Sequence, residues 1–517
     1  MRCSRAIERG VNPAQPRHGD RRAPVSRRQR FAGCARAGYG TAVSTISPSP
    51  AALVALEAAA GDGNWTAAPD VLAPRLVDWR GRYRGATPLL LLPRTVDQVA
   101  AIVRAAGRHR VALVPQGGNT GLVGGGIPPT DGSAVLVGLN RMAAIRAVDA
   151  SGLTMTVEAG AILSDVHDAA RAVDCAFPLS LGAKGSATIG GLIATNAGGM
   201  QVLRHGTMRA LVVGLEAVLP DGSVLHQLTG LAKDNTGYDI KQLLIGGEGT
   251  LGIVTAAALR LVPAPRHRAV AWMGFGPAAD GPRRALAVLA RLRAASGGQV
   301  ESFELMPDFG LQLLDSQLGL RAPLAGKHGW HALVELAGPE PLDTLLVDTL
   351  AAAAAAGEIA DATVAASDAQ AAALWRLREE LPAAERRDGP AVHHDIAVAV
   401  AAMPDFAVSA ANSVEAAFPG ARVIAFGHLG DGNLHFNVKA PVGPDGADYL
   451  ARNGAAITDL VYALVTAAGG SISAEHGIGV LKRAALARLG DPAKLAAVRA
   501  IKAALDPLGI MNPGKVI

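Results

Sequence analysis

Two histidines seven residues apart, His428 and His435, flank a glycine-rich turn in Ala425-Phe426-Gly427-His428-Leu429-Gly430-Asp431-Gly432-Asn433-Leu434-His435-Phe436-Asn437-Val438. Short strand-like runs on both sides give this stretch the pattern of a hairpin, which would fold residues 429–434 back and bring the imidazoles together. Forty residues beyond His435, Ser473-Ala474-Glu475-His476-Gly477-Ile478-Gly479 adds a carboxylate and a third imidazole. His428, His435 and Glu475 suffice for a divalent metal, with positions left open for substrate. His476 is then free to act as a base. Any one of these histidines alone would read as a solvated loop side chain; the grouping across glycine turns is what points to a metal. Strand alternation would set His435 and Asn437 on one face, so that a ligand and an amide point into the same cavity.

Two glycine-rich stretches lie upstream. Pro115-Gln116-Gly117-Gly118-Asn119-Thr120-Gly121-Leu122-Val123-Gly124-Gly125-Gly126 carries six glycines, which cannot sustain helix or strand and must form a loop. Its bare N–H groups suit a pyrophosphate. The second stretch is Pro178-Leu179-Ser180-Leu181-Gly182-Ala183-Lys184-Gly185-Ser186-Ala187-Thr188-Ile189-Gly190-Gly191, continued by Thr195-Asn196-Ala197-Gly198-Gly199. Small residues, hydroxyls and an amide without crowding charges suit the close approach of a flat cofactor. Gly247, Gly249 and Gly252 match the dinucleotide spacing G-x-G-x-x-G, but Ile253-Val254-Thr255 reads as strand and no acidic residue follows at the required distance. A nicotinamide Rossmann site is therefore rejected.

The elements that must position these groups fall into two styles of text. Residues 46–265 alternate strands and helices with glycine turns; Val96 to Ala106 reads as a helix capped by Thr95, and Ala112 to Pro115 as a strand. Residues 266–490 carry Ala/Leu helices, such as 283–295 and 342–356, between strands such as 331–336, and read as an α+β cap. Residues 491–517 end in turn chemistry and are expected to dock back on the first part. The 517 residues, half of them hydrophobic, are enough for two or three such structural units. No apolar run reaches the roughly 18 residues of a membrane span, and Pro88-Leu89-Leu90-Leu91-Leu92-Pro93 reads as a short strand. Cys3, Cys34 and Cys175 lack metal-ligand spacing, which favours a reducing compartment.

The net charge of +5 comes from residues 1–45, where ten arginines face only Glu8 and Asp20 and the remaining chain sums to −3. Nothing else suggests nucleic acid. Such a leader is either an organellar transit peptide or translated upstream sequence. The second is the reading adopted, with a native start near Val43.

Together these blocks resemble the FAD-linked D-2-hydroxyacid dehydrogenases of the vanillyl-alcohol-oxidase superfamily, nearest the 2-hydroxyglutarate branch, with the D-lactate and glycolate branches close by. The resemblance runs from about residue 80 to the C-terminus and includes residues 233–252 and 506–514. It implies an α+β protein with a two-part FAD-binding domain and an α+β cap. FAD would meet the residues of the first loop from Pro115 to Leu122, then Pro178, Leu179, Gly182, Gly185, Ser186, Thr188, Gly190, Gly191, Asn196, Gly198 and Gly199, with Gly249, Ile253 and Asn512. The metal, zinc in the family, would sit on His428, His435 and Glu475. Substrate would meet Asn437, His476, Arg378 and His393, with Arg378 gripping the far carboxylate of a diacid.

Two departures bear on specificity: Pro382 stands where the branch has a threonine, and His393 where it has a lysine. A shorter, mostly neutral group weakens the hold on a second carboxylate. The implied chemistry is loss of the hydroxyl proton of R–CH(OH)–COO⁻ to His476, the ion acidifying that hydroxyl, and departure of the C2 hydride to the flavin. A metal hydrolase would leave the glycine loops without a role, and an electron-transfer subunit would leave the metal set without one. The substrate is a small 2-hydroxy acid. The electron acceptor is an electron-transfer flavoprotein, a quinone or a cytochrome, and a homodimer is admitted. The expected location is the cytoplasm or a membrane periphery, or the mitochondrion if the leader is a transit peptide.

Overall fold

Glycine-punctuated alternation organises the first half of the chain around two sheets that share one apolar core. The computed structural model describes residues 47–231, 233–276 and 279–517; the basic leader, the start near Val43, Cys3 and Cys34 lie outside them. Helix Val96–His109 begins where the sequence places it, with the Thr95 hydroxyl accepting from Gln98 N at 3.2 Å. Its apolar stripe of Val99, Ile102, Val103 and Ala106 is buried. It feeds strand Ala112–Gln116, which runs parallel to Ala134–Gly138, itself parallel to Leu90–Leu91. The strand expected over residues 88–93 shrinks to its two central leucines, since a proline at each end supplies no N–H for a ladder.

A five-stranded antiparallel sheet follows, in the order Ile145–Asp149, Thr154–Glu158, Ile253–Arg260, Val212–Val218, Val224–Gln227. Ile253–Arg260 is thus a strand, as the sequence requires, and the G-x-G-x-x-G spacing opens no helix. Leu56, Ile102, Leu113, Val157, Ile189 and Leu215 belong to one hydrophobic cluster beneath both sheets. The chain end joins it: Leu113 N donates to Ile510 O and Asn512 N to Leu113 O, both at 2.8 Å, and Met511 is fully buried.

The second half is built on a seven-stranded antiparallel sheet, ordered Asp361–Val364, His267–Phe275, Trp330–Gly338, Val300–Pro307, Arg422–His428, Asn433–Lys439, Ala391–Ala397. Helices Gly281–Ala295, Asp343–Ala355, Met403–Ala417 and Gly446–Ala467 cover one face through Phe275, Phe303, Phe436 and Val438. On the other face Asp308–Leu318 and Asp368–Arg387 pack on Trp272, Met306, Ile424 and Phe426. The hairpin read around the two histidines is present, formed by Arg422–His428 and Asn433–Lys439. Among the described residues no helix is long and apolar enough to cross a membrane.

The hairpin turn depends on Gly432, whose φ is +83° and where a Cβ would stand 2.0 Å from Val398 O. Gly432→Ala must therefore move backbone and strain the turn that spaces His428 from His435. A loss of about 1–3 kcal/mol is expected, read as a lowered melting temperature; an unchanged melt would show that the turn relaxes freely.

Candidate active site

Cross-strand register assembles the polar cluster. Glu304 lies opposite His428, His435 opposite Asp395, and Asn437 opposite His393 on four adjacent strands. Because side chains alternate, all six belong to the sheet face covered by helix Asp368–Arg387. That helix contributes Arg378 and Glu385.

His428 Nδ1 lies 2.5 Å from Glu304 Oε1, and Glu304 Oε2 accepts from Arg378 Nε at 2.7 Å. The Glu304 side chain has no exposure at all. His428 Nε2 is 4.0 Å from Glu475 Oε1. The rings of His428 and His435 are 5.7 Å apart, and those of His435 and His476 stack at 6.4 Å. One ligand atom from each of His428, His435 and Glu475 falls within 4.8 Å of the others; Asp395, Glu475 and His476 form an overlapping set. The sequence-derived metal ligands and the candidate base are therefore brought together.

The loop bearing Glu475 and His476 is held by Asp395, whose Oδ2 accepts from both backbone N–H groups at 2.9 Å. His476 Nδ1 is 3.7 Å and Lys482 Nζ 3.8 Å from the same oxygen. Asn437 Nδ2 donates to Glu385 Oε2 at 2.9 Å, and His393 Nε2 lies 3.6 Å from Glu385 Oε1. Arg80 Nε, Glu385 Oε1 and His393 Nδ1 are buried with no hydrogen-bond partner. Buried polar atoms left this way call for a polar ligand. Arg378 commits its Nε to Glu304 and stacks over Phe426, 4.9 Å from the ring centre. Its terminal nitrogens remain as the donors that could meet a substrate.

The electrostatics favour a cation. Burial pushes the Glu475 carboxyl up to about 7, with Asp395, Asp431 and Glu304 adding to the effect against His428. Asp431 is also raised by burial. Burial would lower His428, yet Glu304, helped by Glu475 and Asp431, holds it at about 9; Glu304, despite its own burial, is kept near 2 by His428 and Arg378. His435 is driven to about 3 by burial and by His428, so it is an uncharged nitrogen donor. Buried carboxylates beside neutral imidazole nitrogen form a donor set that a divalent ion would neutralise. The residues fit such an ion.

The two glycine stretches touch one another. A Cβ at Gly117 would lie 2.1 Å from Thr188 Oγ1, and one at Gly118 1.8 Å from Ser186 O. Gly249 abuts Pro115, Gly190 abuts Ala159, and Gly199 abuts Ser180 O. Gly121, Gly182 and Gly185 face open space. Gln116 is turned to Arg75 O and Gly126 O, Asn119 donates to Val77 O, and Asn196 accepts from Arg209 N. Leu179 and Ile253 lie in the apolar core, Gly191 is near Thr188, and Pro178 is buried. Thr120 and Leu122 are half-buried in the first loop. Thr188 Oγ1 and Asn512 Oδ1 are buried without partners, while Asn512 Nδ2 donates to Gly125 O and Glu248 O. These unpaired atoms and uncovered glycines fit a polar, flat group. Glu475 Oε1 would be 2.7 Å from a Cβ at Gly198, so the metal set and the second stretch share a wall.

Glu304, Glu385, Arg80 and Asp395 were not singled out from sequence. A signal for Glu304 existed: Val300–Pro307 reads VESFELMP, an otherwise apolar strand carrying acids with no neighbouring base. Arg80 carried none, because its role depends on chain crossing.

Two family models cover most of the chain: the FAD binding domain over residues 87–227 and the C-terminal domain of FAD linked oxidases over 264–516. The chain is 38% identical to a mitochondrial D-2-hydroxyglutarate dehydrogenase of Bos taurus, spanning 87% of this chain and 80% of that one. It is 39% identical to a D-2-hydroxyglutarate dehydrogenase of Xanthomonas citri pv. viticola (85% and 91%), and 34% identical to a putative mitochondrial D-lactate dehydrogenase of Schizosaccharomyces pombe (85% and 84%). In fold it is similar to substrate-bound p-cresol methylhydroxylase, with a TM-score of 0.71 at 16% identity over 90% of this chain and 96% of that one.

Glu304→Gln would loosen His428 without touching the ion. Zinc affinity measured calorimetrically should fall about 10–100-fold, and equal affinity would remove Glu304 from the site. Arg378→Ala, which takes one of two partners from buried Glu304 and leaves His428, is expected to cost about 1–3 kcal/mol of stability, read as a lowered melting temperature.

Proposed function

The chain belongs to the FAD-linked D-2-hydroxyacid dehydrogenases of the vanillyl-alcohol-oxidase superfamily, and from this we propose that it oxidises a 2-hydroxyglutarate-like D-2-hydroxy acid to the 2-oxo acid. The observation that carries the reading is the common wall at Gly198, where a carboxylate of the metal set meets the glycine stretch assigned to the flavin. A divalent ion, zinc by preference, would supply Lewis acidity at the substrate hydroxyl when held by His428, His435 and Glu475, and FAD would supply the two-electron acceptor.

The chain's own residues do the rest. His476 takes the hydroxyl proton on its imidazole. Burial lowers its pKa against the pull of Asp395, so the ring is free to accept. Asp395 holds the backbone N–H of His476 at 2.9 Å, with the ring Nδ1 3.7 Å from the same oxygen, which fixes where the base stands. Asn437, fixed by Glu385, offers its amide to the reacting end, and the terminal nitrogens of Arg378 meet the distal end. Buried Phe426, under the Arg378 guanidinium, limits water on this face. Electrons leave to an electron-transfer flavoprotein, a quinone or a cytochrome. Relatives named as mitochondrial make the organelle one location for this chain and the cytoplasm the other.

A monoacid such as D-lactate, or glycolate, is the second reading, and one feature favours it. His393 is driven to about 3 by burial and by Arg80 and stays uncharged, while Glu385 beside it is a carboxyl. Together they make a poor second grip on a carboxylate.

His476→Ala and Glu475→Ala are expected to lose about 10²–10⁴ in turnover with flavin absorbance retained; near-full activity in either would defeat the assignment. Chelator treatment should likewise abolish activity, and Zn²⁺ should restore it. Burial drives Glu385 up to about 7 against Lys439, Asn437, Arg80 and Arg386. Below that pH the neutral acid can donate to a second carboxylate; above it the anion repels one. KM for D-2-hydroxyglutarate should therefore rise between about pH 6 and 8 while KM for D-lactate stays flat. Parallel curves for the two acids would exclude Glu385 from the distal pocket.

A further inference from the structure

Glu248 sits inside the glycine spacing that forms no nucleotide fold. It is 7% exposed, with φ +49°. Its backbone is pinned among the cofactor stretches: its N donates to Ala194 O at 2.8 Å, and its O accepts from Asn512 Nδ2 at 2.7 Å. Its side chain points the other way. Oε1 accepts from Ile478 N at 2.7 Å and Oε2 from Gly479 N at 2.8 Å. A Cβ at Gly477 would come within 2.8 Å of Oε1, and one at Gly125 within 3.3 Å of Oε2. The carboxylate thus fills a gap between the first glycine loop and the loop that follows His476.

That reactive loop is gripped from both sides. Asp395 takes the N–H groups of Glu475 and His476, Glu248 takes those of Ile478 and Gly479, and Lys482 lies within electrostatic reach of both acids. Charge-assisted bonds to two adjacent N–H groups fix orientation as well as distance. Asp395 ties the loop to the seven-stranded sheet that carries the histidines. On the other side, where the flavin stretches lie, Glu248 is the side-chain tie, placed immediately before backbone bonds from Val480 N and Leu481 N to Val123 O at 2.9 and 3.2 Å.

We propose that Glu248 is a positioning residue that sets Glu475 and His476 against the flavin stretches and couples flavin occupancy to ion affinity. The inference rests on the reading of Glu475 as an ion ligand. Coupling follows because FAD ordering the backbone at residues 248–249 and 512 would order the Glu248 carboxylate, and through it the loop that presents Glu475. An amide at this position would turn an NH₂ donor toward one of the two N–H groups and release it. An aspartate would keep both acceptors on a shorter stem.

The test uses the full chain and its Glu248→Gln and Glu248→Asp variants, each with FAD bound and each flavin-stripped, with Zn²⁺ titrated calorimetrically after chelation. In the parent chain the ion should bind more tightly when FAD is present. In Glu248→Gln, affinity in the FAD form should fall about 10–100-fold and the FAD dependence should vanish, with the flavin spectrum unchanged. The turnover loss should lie in kcat more than in KM, and Glu248→Asp should recover part of both. Zinc affinity and FAD dependence in Glu248→Gln within about twofold of the parent would overturn the inference alone. A parent chain that takes up no ion would overturn the metal reading and this inference together. Should Glu248→Gln fail to fold, Glu248→Asp decides: zinc affinity and FAD dependence both weaker than the parent's, with a lowered kcat and an unchanged flavin spectrum, support positioning through the two acceptors, while parental affinity, FAD dependence and kcat together overturn it.

Discussion

Glu304 and Asp395 are removed from water and Asp431 and Glu475 are half-buried around His428, His435 and His476, in a part of the protein where a bare anion is expensive. Glu304 is offset by His428 and Arg378, and Asp395 by Lys482 and a pair of backbone N–H groups. Among the described residues His428 is the one basic side chain within 4.0 Å of the Glu475 carboxyl, and that imidazole is already taken by Glu304. This weakly compensated carboxyl, pushed up to about 7 by burial, is the feature on which the proposed cation site rests. It also explains why the surrounding strands keep strict register: a shift of one residue would turn the histidines and acids to the apolar face lined by Phe436 and Val438.

The placement of that cluster divides the labour between the two halves of the chain. The seven-stranded sheet supplies His428, His435 and Asn437 from one rigid hairpin, while the loop with Glu475 and His476 reaches across from the end of helix Gly446–Ala467. Rigid strands fix ligand spacing, and a loop pinned by hydrogen bonds completes the set. The distal side is different in character. There Arg80, Glu385 and His393 leave polar atoms without partners, which is why the proposed selection among hydroxy acids is assigned to them.

Elements with strong local signals were legible in the sequence: the Thr95-capped helix, the hairpin of the histidines, and the strand after Gly252 that disqualified a nucleotide fingerprint. The convergence of His428, His435, Glu475 and His476 was legible because two short motifs carry all four. Glu304, Glu385 and Arg80 were not, for a physical reason. Each acts through partners 52 to 124 residues away or from another element altogether, and local patterning contains no record of such distances. The proline-bounded leucine run over residues 88–93 was legible as a strand but not in its extent, which is confined to Leu90–Leu91.

The last few residues are stitched into the working parts. Lys515 Nζ donates to Ile127 O at the foot of the first glycine loop, and Val516 N donates to Gly479 O in the loop beyond His476. Lys515 is 5% exposed and Met511 wholly buried. Premature termination only a handful of codons early would therefore unfasten both loops at once. For the same reason an affinity tag is better carried at the opposite end of the polypeptide.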